Sequence, residues 1–281
     1  MTLIRALCAV AGALWLSAGA LSAAEVETER MTWTEIRDAV AAGKTTIIIP
    51  TGGTEQNGPH MVTGKHNFII AETAPRIATK LGDTLVAPVM AYVPEGDIAT
   101  REGHMAYPGS ISIPPETFVR VLEAAAESFK VHGFKTIVFL GDSGPNQEPQ
   151  RAVATALSQR WAGDGVKVLN AGAYYATNGQ MEYLKSEGET EAAIGKHAGI
   201  RDTSELMAVR PTGVRLDKRV ADKDGVSGDP ARATAERGEK LLSLKIDTAV
   251  QEITAARSPP AVVGAPRGES LFDRLWRMIF G

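Results

Sequence analysis

Short continuous apolar runs alternate with longer amphipathic stretches along the middle of the chain. The runs predict buried strands and span residues 45–50, 84–89, 135–140 and 166–170. The stretches have helical spacing of their apolar positions and span residues 33–42, 68–81, 115–132 and 150–162. Apolar residues within the runs are continuous rather than alternating, as expected where helices cover both faces of a parallel sheet. The pattern predicts an α/β fold, a single-domain α/β/α sandwich with a mostly parallel sheet.

Several of these boundaries are marked by residues that begin or end helices. Thr32 or Thr34 can cap the first helix, and Gly43 ends it. Pro115 suits the first turn of the third helix, and Gly133 ends that helix. The helices therefore have local start and stop signals in addition to their apolar spacing.

Polar, glycine-rich loops follow three of the predicted strands. The carboxyl ends of parallel strands meet at one edge of a sheet, where α/β proteins bind ligands. Four of the five histidines fall in these loops or in a later polar segment, together with three acidic residues: His60, His66, His104, His197, Glu55, Asp142 and Asp202. The fifth, His132, is more typical of a helix end. This convergence of titratable side chains predicts a functional site.

Residues 1–24 have the three-part pattern of an export signal. Arg5 precedes an apolar run at 6–21, and the small residues at 22–24 suit cleavage. The run is somewhat short for a spanning helix, so we expect cleavage near Ala24 rather than retention as a membrane anchor. The predicted location is the periplasm. Because no arginine pair precedes the run, we expect export of the unfolded chain.

Composition narrows the chemistry of the exported chain. Its only cysteine, Cys8, lies in the predicted signal, so the mature chain forms no disulfide. Any metal ligands must then be His, Asp, Glu or water. A net charge of -3 and 44% hydrophobic residues are ordinary for a globular protein. No basic patch indicates binding to nucleic acid.

The end of the chain differs from the predicted α/β domain at 25–257. Residues 258–268 are rich in proline and glycine and predict a linker. Residues 269–281 predict an amphipathic helix, with an apolar face formed by Leu271, Leu275, Trp276 and Ile279. Such a helix can rest on a membrane surface, dock on another subunit, or pack against its own domain.

The order of the loop motifs resembles that of the creatininase-like amidohydrolases. The family's Gly-x-x-Glu-Gln-His-Gly-Pro-His loop corresponds to residues 52–60, and its Pro-Gly-Thr-Ile-Ser segment to residues 108–112. Its His-Ala-Gly-x-x-Glu-Thr-Ser segment corresponds to residues 197–204. The resemblance covers nearly the whole mature domain. It implies the creatininase-like fold, hydrolysis of a C–N bond in a small cyclic or linear amide, and a homo-oligomer.

The same resemblance implies two metal ions bridged by an aspartate, and the chain departs from it at the ligands. Glu55 is retained, whereas Asn57 replaces a histidine, His66 replaces the bridging aspartate, and Asp142 replaces a histidine. The exchange of Asp and His keeps the ligand types of one site and removes the other. We therefore expect one divalent ion, Zn²⁺, Mn²⁺ or Fe²⁺, on Glu55, His66 and Asp142.

Roles for the remaining polar residues follow from the same resemblance. His197 is the expected acid/base group, and Asp202 either orients a ligand or water molecule or caps a helix. Four residues are expected to line the pocket or support the ligands: Asn57, His60, His104 and Asn146. The alternative to a metal-dependent amidohydrolase is a non-catalytic ligand-binding or assembly protein with a decayed metal site. A metal enzyme of different chemistry is a third reading, because fold does not fix reaction.

Overall fold

A computed structural model describes residues 25–257 of the chain. The predicted export signal at 1–24, the predicted linker at 258–268 and the predicted amphipathic helix at 269–281 all lie outside these residues. No helix within residues 25–257 is long and apolar enough to cross a membrane.

The strands within residues 25–257 form one parallel sheet. They are β1 (Thr46–Thr51), β2 (Thr84–Val86), β3 (Thr136–Gly141) and β4 (Lys167–Asn170), in the order β2-β1-β3-β4. β1 pairs with β3 from Thr46 opposite Thr136 to Thr51 opposite Gly141, so their carboxyl ends lie side by side. β2 is shorter than the predicted run, since its ladder stops two residues before Pro88, which has no N–H to donate.

Nine α-helices surround this sheet within the described part of the chain. They are α1 (Trp33–Ala41), α2 (Lys65–Leu81), α3 (Pro115–Val131), α4 (Gln147–Arg160), α5 (Ala173–Ala176), α6 (Gln180–Ser186), α7 (Glu191–Ile194), α8 (Ile200–Val209) and α9 (Ala235–Arg257). The first four match predicted helices. α1 begins at a capping box in which Thr32 and Glu35 exchange hydrogen bonds, which decides between the two candidate caps.

Two apolar clusters lie on opposite faces of the sheet. On one face Ile47 packs with Phe118 of α3 and Leu157 of α4, and α1 covers the edge of this cluster. On the other face Ile48 packs with Ile70 of α2 and Ile246 of α9. Adjacent residues of β1 are thus buried on opposite sides. The α/β/α sandwich expected from the continuous apolar runs is confirmed.

Helices α8 and α9 pack closely and bring distant parts of the chain to the site. A Cβ atom at Gly238 would lie 2.0 Å from the carbonyl oxygen of Ser204, so only glycine permits this approach. The contact places Glu205 of α8 beside Lys245 of α9. Neither helix is among those predicted from the apolar spacing.

Because both faces of β1 are covered, truncation at either of two neighbouring positions should be costly. We expect Ile47→Ala and Ile48→Ala each to lower the free energy of unfolding by about 2–5 kcal/mol. Leu216→Ala, at an exposed position, should change it by less than about 0.5 kcal/mol. Urea unfolding followed by circular dichroism measures all three. Tolerance of one of the two isoleucine changes would indicate a sheet with an open face.

Candidate functional site

A pocket of about 260 Å³ lies at the carboxyl edge of the sheet, where the sequence predicts the site. Asp142 follows β3 directly, and its backbone N–H donates to the carbonyl oxygen of Thr51 at the end of β1. Glu55 lies four residues beyond that strand. α2 begins at Lys65, earlier than predicted, and this places His66 in its first turn. Three separate elements therefore deliver their side chains to one place.

His66 bridges two carboxylates. Its Nε2 lies 2.8 Å from Glu55 Oε1, and its Nδ1 lies 2.8 Å from Asp142 Oδ2. Ionised carboxylates only accept hydrogen bonds, so both ring nitrogens donate and the ring is an imidazolium. Burial and the charge of Lys65 oppose this form, but the two carboxylates outweigh them and raise the pKa of His66 to about 9.

Lys65 supplies a second buried cation. Its Nζ lies 3.1 Å from Asp202 Oδ2 and 3.5 Å from Glu55 Oε1. Burial disfavours the ammonium form, yet the neighbouring carboxylates raise the pKa of Lys65 above its usual value. In turn, although burial alone would raise it, His66 and Lys65 hold the pKa of the Glu55 carboxyl well below its usual range.

Lys245 of α9 supplies a third buried cation. Its Nζ lies 2.6 Å from Asp142 Oδ1 and 3.3 Å from Glu205 Oε1. The hydroxyl of Tyr174 also donates to Asp142 Oδ1, at 2.9 Å. Burial opposes ionisation of Asp142, but Lys245 and His66 lower the pKa of this carboxyl to about 2. We call these seven linked residues the inner cluster: Glu55, Lys65, His66, Asp142, Asp202, Glu205 and Lys245.

The inner cluster does not fit a divalent metal ion in this arrangement. Glu55, His66 and Asp142 meet as predicted, but His66 has no free nitrogen lone pair to offer a metal. The ammonium groups of Lys65 and Lys245 already lie on the carboxylates that would have to bind the ion. A dication between them would meet strong repulsion. Glu55, His66 and Asp142 form a hydrogen-bonded chain in this arrangement, and their role as metal ligands stays a prediction.

A different set of side chains does fit a metal ion. Possible ligand atoms of Glu55, His104 and His197 all lie within 4.8 Å of one another, and we call these residues the outer triad. His104 Nε2 lies 2.9 Å from Glu55 Oε2, and His197 Nδ1 lies 3.7 Å from Glu55 Oε1. Both histidines are partly exposed to the pocket. One carboxylate and two imidazoles suit Zn²⁺, Mn²⁺ or Fe²⁺.

The histidines of the outer triad are oriented by the backbone and side chain of Gln56. His197 Nε2 lies 2.9 Å from the Gln56 carbonyl oxygen and donates to it, which leaves the Nδ1 lone pair facing Glu55. Such a partner fixes the tautomer of a metal-binding histidine. Gln56 Nε2 lies 3.3 Å from His104 Nδ1 and donates to it. The ring proton of His104 is therefore on Nε2, which faces Glu55. A metal ion at this site would replace that proton.

The turn before α8 positions His197 and Asp202. Ala198 has a φ of 55°, in the left-handed region that non-glycine residues rarely adopt. Its backbone N–H donates to Asp202 Oδ2 at 2.8 Å, and the same oxygen pairs with Lys65. Asp202 therefore anchors the turn before the helix and also lines the pocket, and its predicted role toward a ligand or water molecule stays a prediction.

Three of the predicted site residues support the loops without lining this pocket. Asn57 donates from Nδ2 to the Glu55 carbonyl oxygen at 3.0 Å. His60 Nε2 lies 3.0 Å from Thr203 Oγ1, and burial lowers the pKa of this ring to about 4. Asn146 donates to Gly52 O and Thr51 Oγ1, each at 2.8 Å.

Glu95, which the sequence does not single out, is a buried acid beside Glu55. Neither of its carboxyl oxygens has a hydrogen-bond partner among the described residues. Burial and the charge of Glu55 raise the pKa of Glu95 to about 8, so its neutral form prevails at neutral pH. A Cβ atom at Gly53 would lie 2.1 Å from Glu95 Oε1, so a larger residue at position 53 would have to displace this carboxyl group.

Lys245 and Arg201 also belong to the site, but the sequence does not single them out. A local pattern marks only Lys245. Lys245 lies on the same stripe of α9 as the buried Leu241, Leu242, Ile246 and Ala249. A lysine in the apolar stripe of a helix indicates a buried partner of opposite charge. Arg201 of α8 lines the pocket without any such pattern around it.

Comparison with known proteins assigns the chain to a family. The profile of the creatininase (creatinine amidohydrolase) family matches residues 29–253. The chain therefore belongs to the creatininase family, as the order of its loop motifs suggests.

Individual relatives agree with this assignment. A mycofactocin precursor peptide peptidase of Mycolicibacterium smegmatis is 26% identical over 220 residues, which cover 74% of this chain and 83% of the relative. A creatinine amidohydrolase of Pseudomonas putida is 27% identical over 239 residues, which cover 76% and 90%. A solved structure of a manganese creatininase shares the fold, with a TM-score of 0.71 at 22% identity over 84% of this chain and all of that one.

Removal of Lys245 should be destabilising because it leaves two buried carboxylates without their cation. We expect Lys245→Ala to lower the free energy of unfolding by about 3–5 kcal/mol at neutral pH. Lys240→Ala, on the exposed side of the same helix, should change it by less than about 0.5 kcal/mol. Urea unfolding measures both variants. A loss below about 1 kcal/mol for Lys245→Ala would contradict the buried ion pairs.

Replacement of Glu95 should change how stability depends on pH. The pKa of Glu95 rises from 4.5 to about 8 on folding. Its contribution to the free energy of unfolding is therefore fully present below pH 4.5 and is lost as the pH rises through about 8. Glu95→Gln removes this titration. The free energy of unfolding of the variant should therefore rise relative to that of wild type by on the order of 3 kcal/mol between about pH 5 and about pH 9.

Unfolding of both proteins in the presence of a chelator measures this difference. Glu116→Gln, at an exposed position, is the matched control for removal of one carboxylate and should change the free energy of unfolding by less than about 0.5 kcal/mol at neutral pH. Parallel pH profiles for Glu95→Gln and wild type would show that Glu95 titrates normally.

Proposed function

We propose that this creatininase-family protein is an exported hydrolase that cleaves a C–N bond of a small amide with one divalent metal ion. Glu55, His104 and His197 would hold the ion. The observation that carries the proposal is the outer triad itself, a carboxylate and two imidazoles that meet at an open pocket with the tautomer of His197 already set.

The relatives support this reaction class. One is named for hydrolysis of the amide bond of creatinine and another for cleavage of a precursor peptide, and both activities break C–N bonds of amides. A creatininase structure is named for its manganese. The donor set of the outer triad is equally suited to Zn²⁺, Mn²⁺ or Fe²⁺, so the proposal covers all three.

The residues around the outer triad prepare the pocket for hydrolysis. His66 and Lys65 keep Glu55 ionised and fix one of its oxygens, so the other faces His104. A divalent ion held at this site would lower the pKa of a water molecule and polarise a carbonyl group. Lys65 also lines the pocket, where its fixed charge favours the negative charge that develops on an amide oxygen.

The overall reaction needs only water as a second reactant. Its hydroxyl bonds to the carbonyl carbon, the leaving nitrogen takes its proton, and the C–N bond breaks to give an acid and an amine. In this assignment His197 holds the metal ion, which replaces the acid/base role expected from the sequence. Asp202 remains at the pocket wall, held by Lys65 and the Ala198 amide.

The second candidate function is ligand binding without turnover on the same fold. The inner cluster favours it, because Lys65, His66 and Lys245 already pair with the buried carboxylates without any metal ion. Metal content separates the two candidates, since a binding protein of this kind would retain no tightly bound divalent ion.

Export is part of the proposal and rests on the pattern of residues 1–24. The intact mass of protein recovered from the periplasmic fraction of an expressing cell tests it, with cleavage expected near Ala24. A homo-oligomer and a membrane or subunit contact through residues 269–281 also stay proposals. Gel filtration and vesicle flotation of the mature protein and of a chain ending at residue 265 test these two.

Metal analysis tests the proposed site directly. We expect mature protein to bind one equivalent of a divalent ion and to hydrolyse members of a panel of small amides only when that ion is present. His104→Ala and His197→Ala should each weaken binding of Zn²⁺ or Mn²⁺ by at least about tenfold. Removal of a residue that only hydrogen-bonds to a metal ligand already weakens metal binding by about tenfold, so removal of a ligand should cost no less. His132→Ala, at an exposed helix end, is the matched control.

Elemental analysis, isothermal titration with each ion, and amine release before and after treatment with a chelator provide the readouts. Two tightly bound equivalents would refute the single site. No bound ion and no hydrolysis, with ligand binding retained, would favour the second candidate.

A further inference from the structure

The wall of the pocket carries hydrogen-bond donors that the proposed chemistry does not use. Ser143, Tyr175, Lys196 and Arg201 all line the pocket. The hydroxyl of Ser143 is buried and has no partner among the described residues. Tyr175 lies beside the residue that follows Ser143, since a Cβ atom at Gly144 would lie 3.0 Å from the Tyr175 hydroxyl. Ser143 and Tyr175 therefore lie on one stretch of the wall, and Arg201 is close enough to Tyr175 to interact with it electrostatically.

Arg201 is the strongest donor in this stretch and the least satisfied. Within residues 25–257 its guanidinium makes no hydrogen bond, and its nearest carboxylate contact joins Nε to Asp202 Oδ1 at 3.5 Å. This separation is longer than a normal N–H···O hydrogen bond, and Lys65 and the Ala198 amide donate to the other oxygen of that carboxylate, Oδ2. Only 27% of the Arg201 side chain is exposed, so solvent satisfies its five N–H groups incompletely.

Arginines with a structural role in this chain look different. Arg257 donates from one nitrogen to both oxygens of Asp83, at 2.7 and 2.9 Å. Arg232 donates from two nitrogens to the two oxygens of Glu189. A partly buried guanidinium without such a partner is costly unless a ligand supplies one. Arg201 is therefore placed for an anion that enters the pocket.

The balance of charge in the pocket leaves room for one negative charge. Lys65, His66 and Lys245 are each matched by carboxylates of the inner cluster. With Arg201, which lies 3.5 Å from Asp202, they make four cations against the four carboxylates of the inner cluster. The side chain of Lys196 makes no ion pair or hydrogen bond among the described residues, so one positive charge of the pocket is left without a partner. Because Asp202 and Glu205 line the same pocket, a monoanion meets less repulsion than a dianionic phosphate.

We infer that the substrate is a small amide that carries a carboxylate group, bound by the fork of Arg201 while its amide lies at the outer triad. Bidentate pairing with a planar carboxylate is the recognition to which a guanidinium is suited. The hydroxyls of Ser143 and Tyr175 and the ammonium of Lys196 provide further donors. This inference rests on the proposed function and names its substrate class.

Matched pairs of amides test the inference. Malonamate, succinamate and glutaramate each carry one amide and one carboxylate, and the corresponding diamides lack the charge. Isothermal titration with mature protein stripped of metal measures binding apart from turnover. We expect at least one acid to bind about tenfold or more tightly than its diamide. Arg201→Gln should abolish the preference and Arg201→Lys should retain part of it, while Arg120→Gln, at an exposed position, should leave it unchanged.

Several outcomes would overturn the inference. These are equal affinity for acids and diamides at every chain length, no measurable binding of any acid, and an unchanged preference in Arg201→Gln. Stronger competition by inorganic phosphate than by acetate would show that Arg201 and its neighbours bind a phosphate group rather than a carboxylate. Circular dichroism and thermal unfolding establish that each variant is folded, and Arg201→Lys keeps the comparison decisive if Arg201→Gln unfolds.

Failure of the proposed function is distinguishable in the same experiments. Preferential binding of the acids without hydrolysis in the presence of metal would uphold the carboxylate site and reject the hydrolase. Metal-dependent hydrolysis of diamides as fast as that of the acids would uphold the hydrolase and reject the carboxylate site.

Discussion

The imidazolium of His66, held between Glu55 and Asp142, is the interaction on which the site depends. Glu55 follows β1, Asp142 follows β3, and His66 begins α2, so one ring joins two neighbouring strands to the helix above them. Two ionised carboxylates at this separation would repel each other in a buried environment. The doubly protonated ring removes that repulsion and fixes Oε1 of Glu55, so that Oε2 faces His104.

Buried charges are stable only when they are paired, and this requirement explains the rest of the inner cluster. Lys65 is 1% exposed and lies against Asp202, and Lys245 is 4% exposed and lies against Asp142 and Glu205. Each cation arrives on a different helix, α2 or α9. The close packing of α8 on α9 at Gly238 therefore contributes to the electrostatics of the site as well as to the core.

Much of the fold and the location of the site follow from the sequence, because both depend on short-range patterns. Continuous apolar runs predict a two-sided parallel sheet, and the carboxyl ends of such strands must meet, which brings Glu55 and Asp142 together. The roles of these residues depend on partners that no local pattern identifies. Asp142 and Lys245 are separated by 103 positions in the sequence, and a lysine in a helix ordinarily faces solvent.

The exchange of Asp and His seen in the sequence shows why ligand types alone do not define a metal site. An imidazole flanked by two carboxylates holds two protons more readily than it presents a lone pair, so it serves as a cation in its own right. With Lys65 and Lys245 it provides the positive charge that the buried carboxylates require. The divalent ion that we propose is therefore assigned to the outer triad, where both histidines are partly exposed to the pocket.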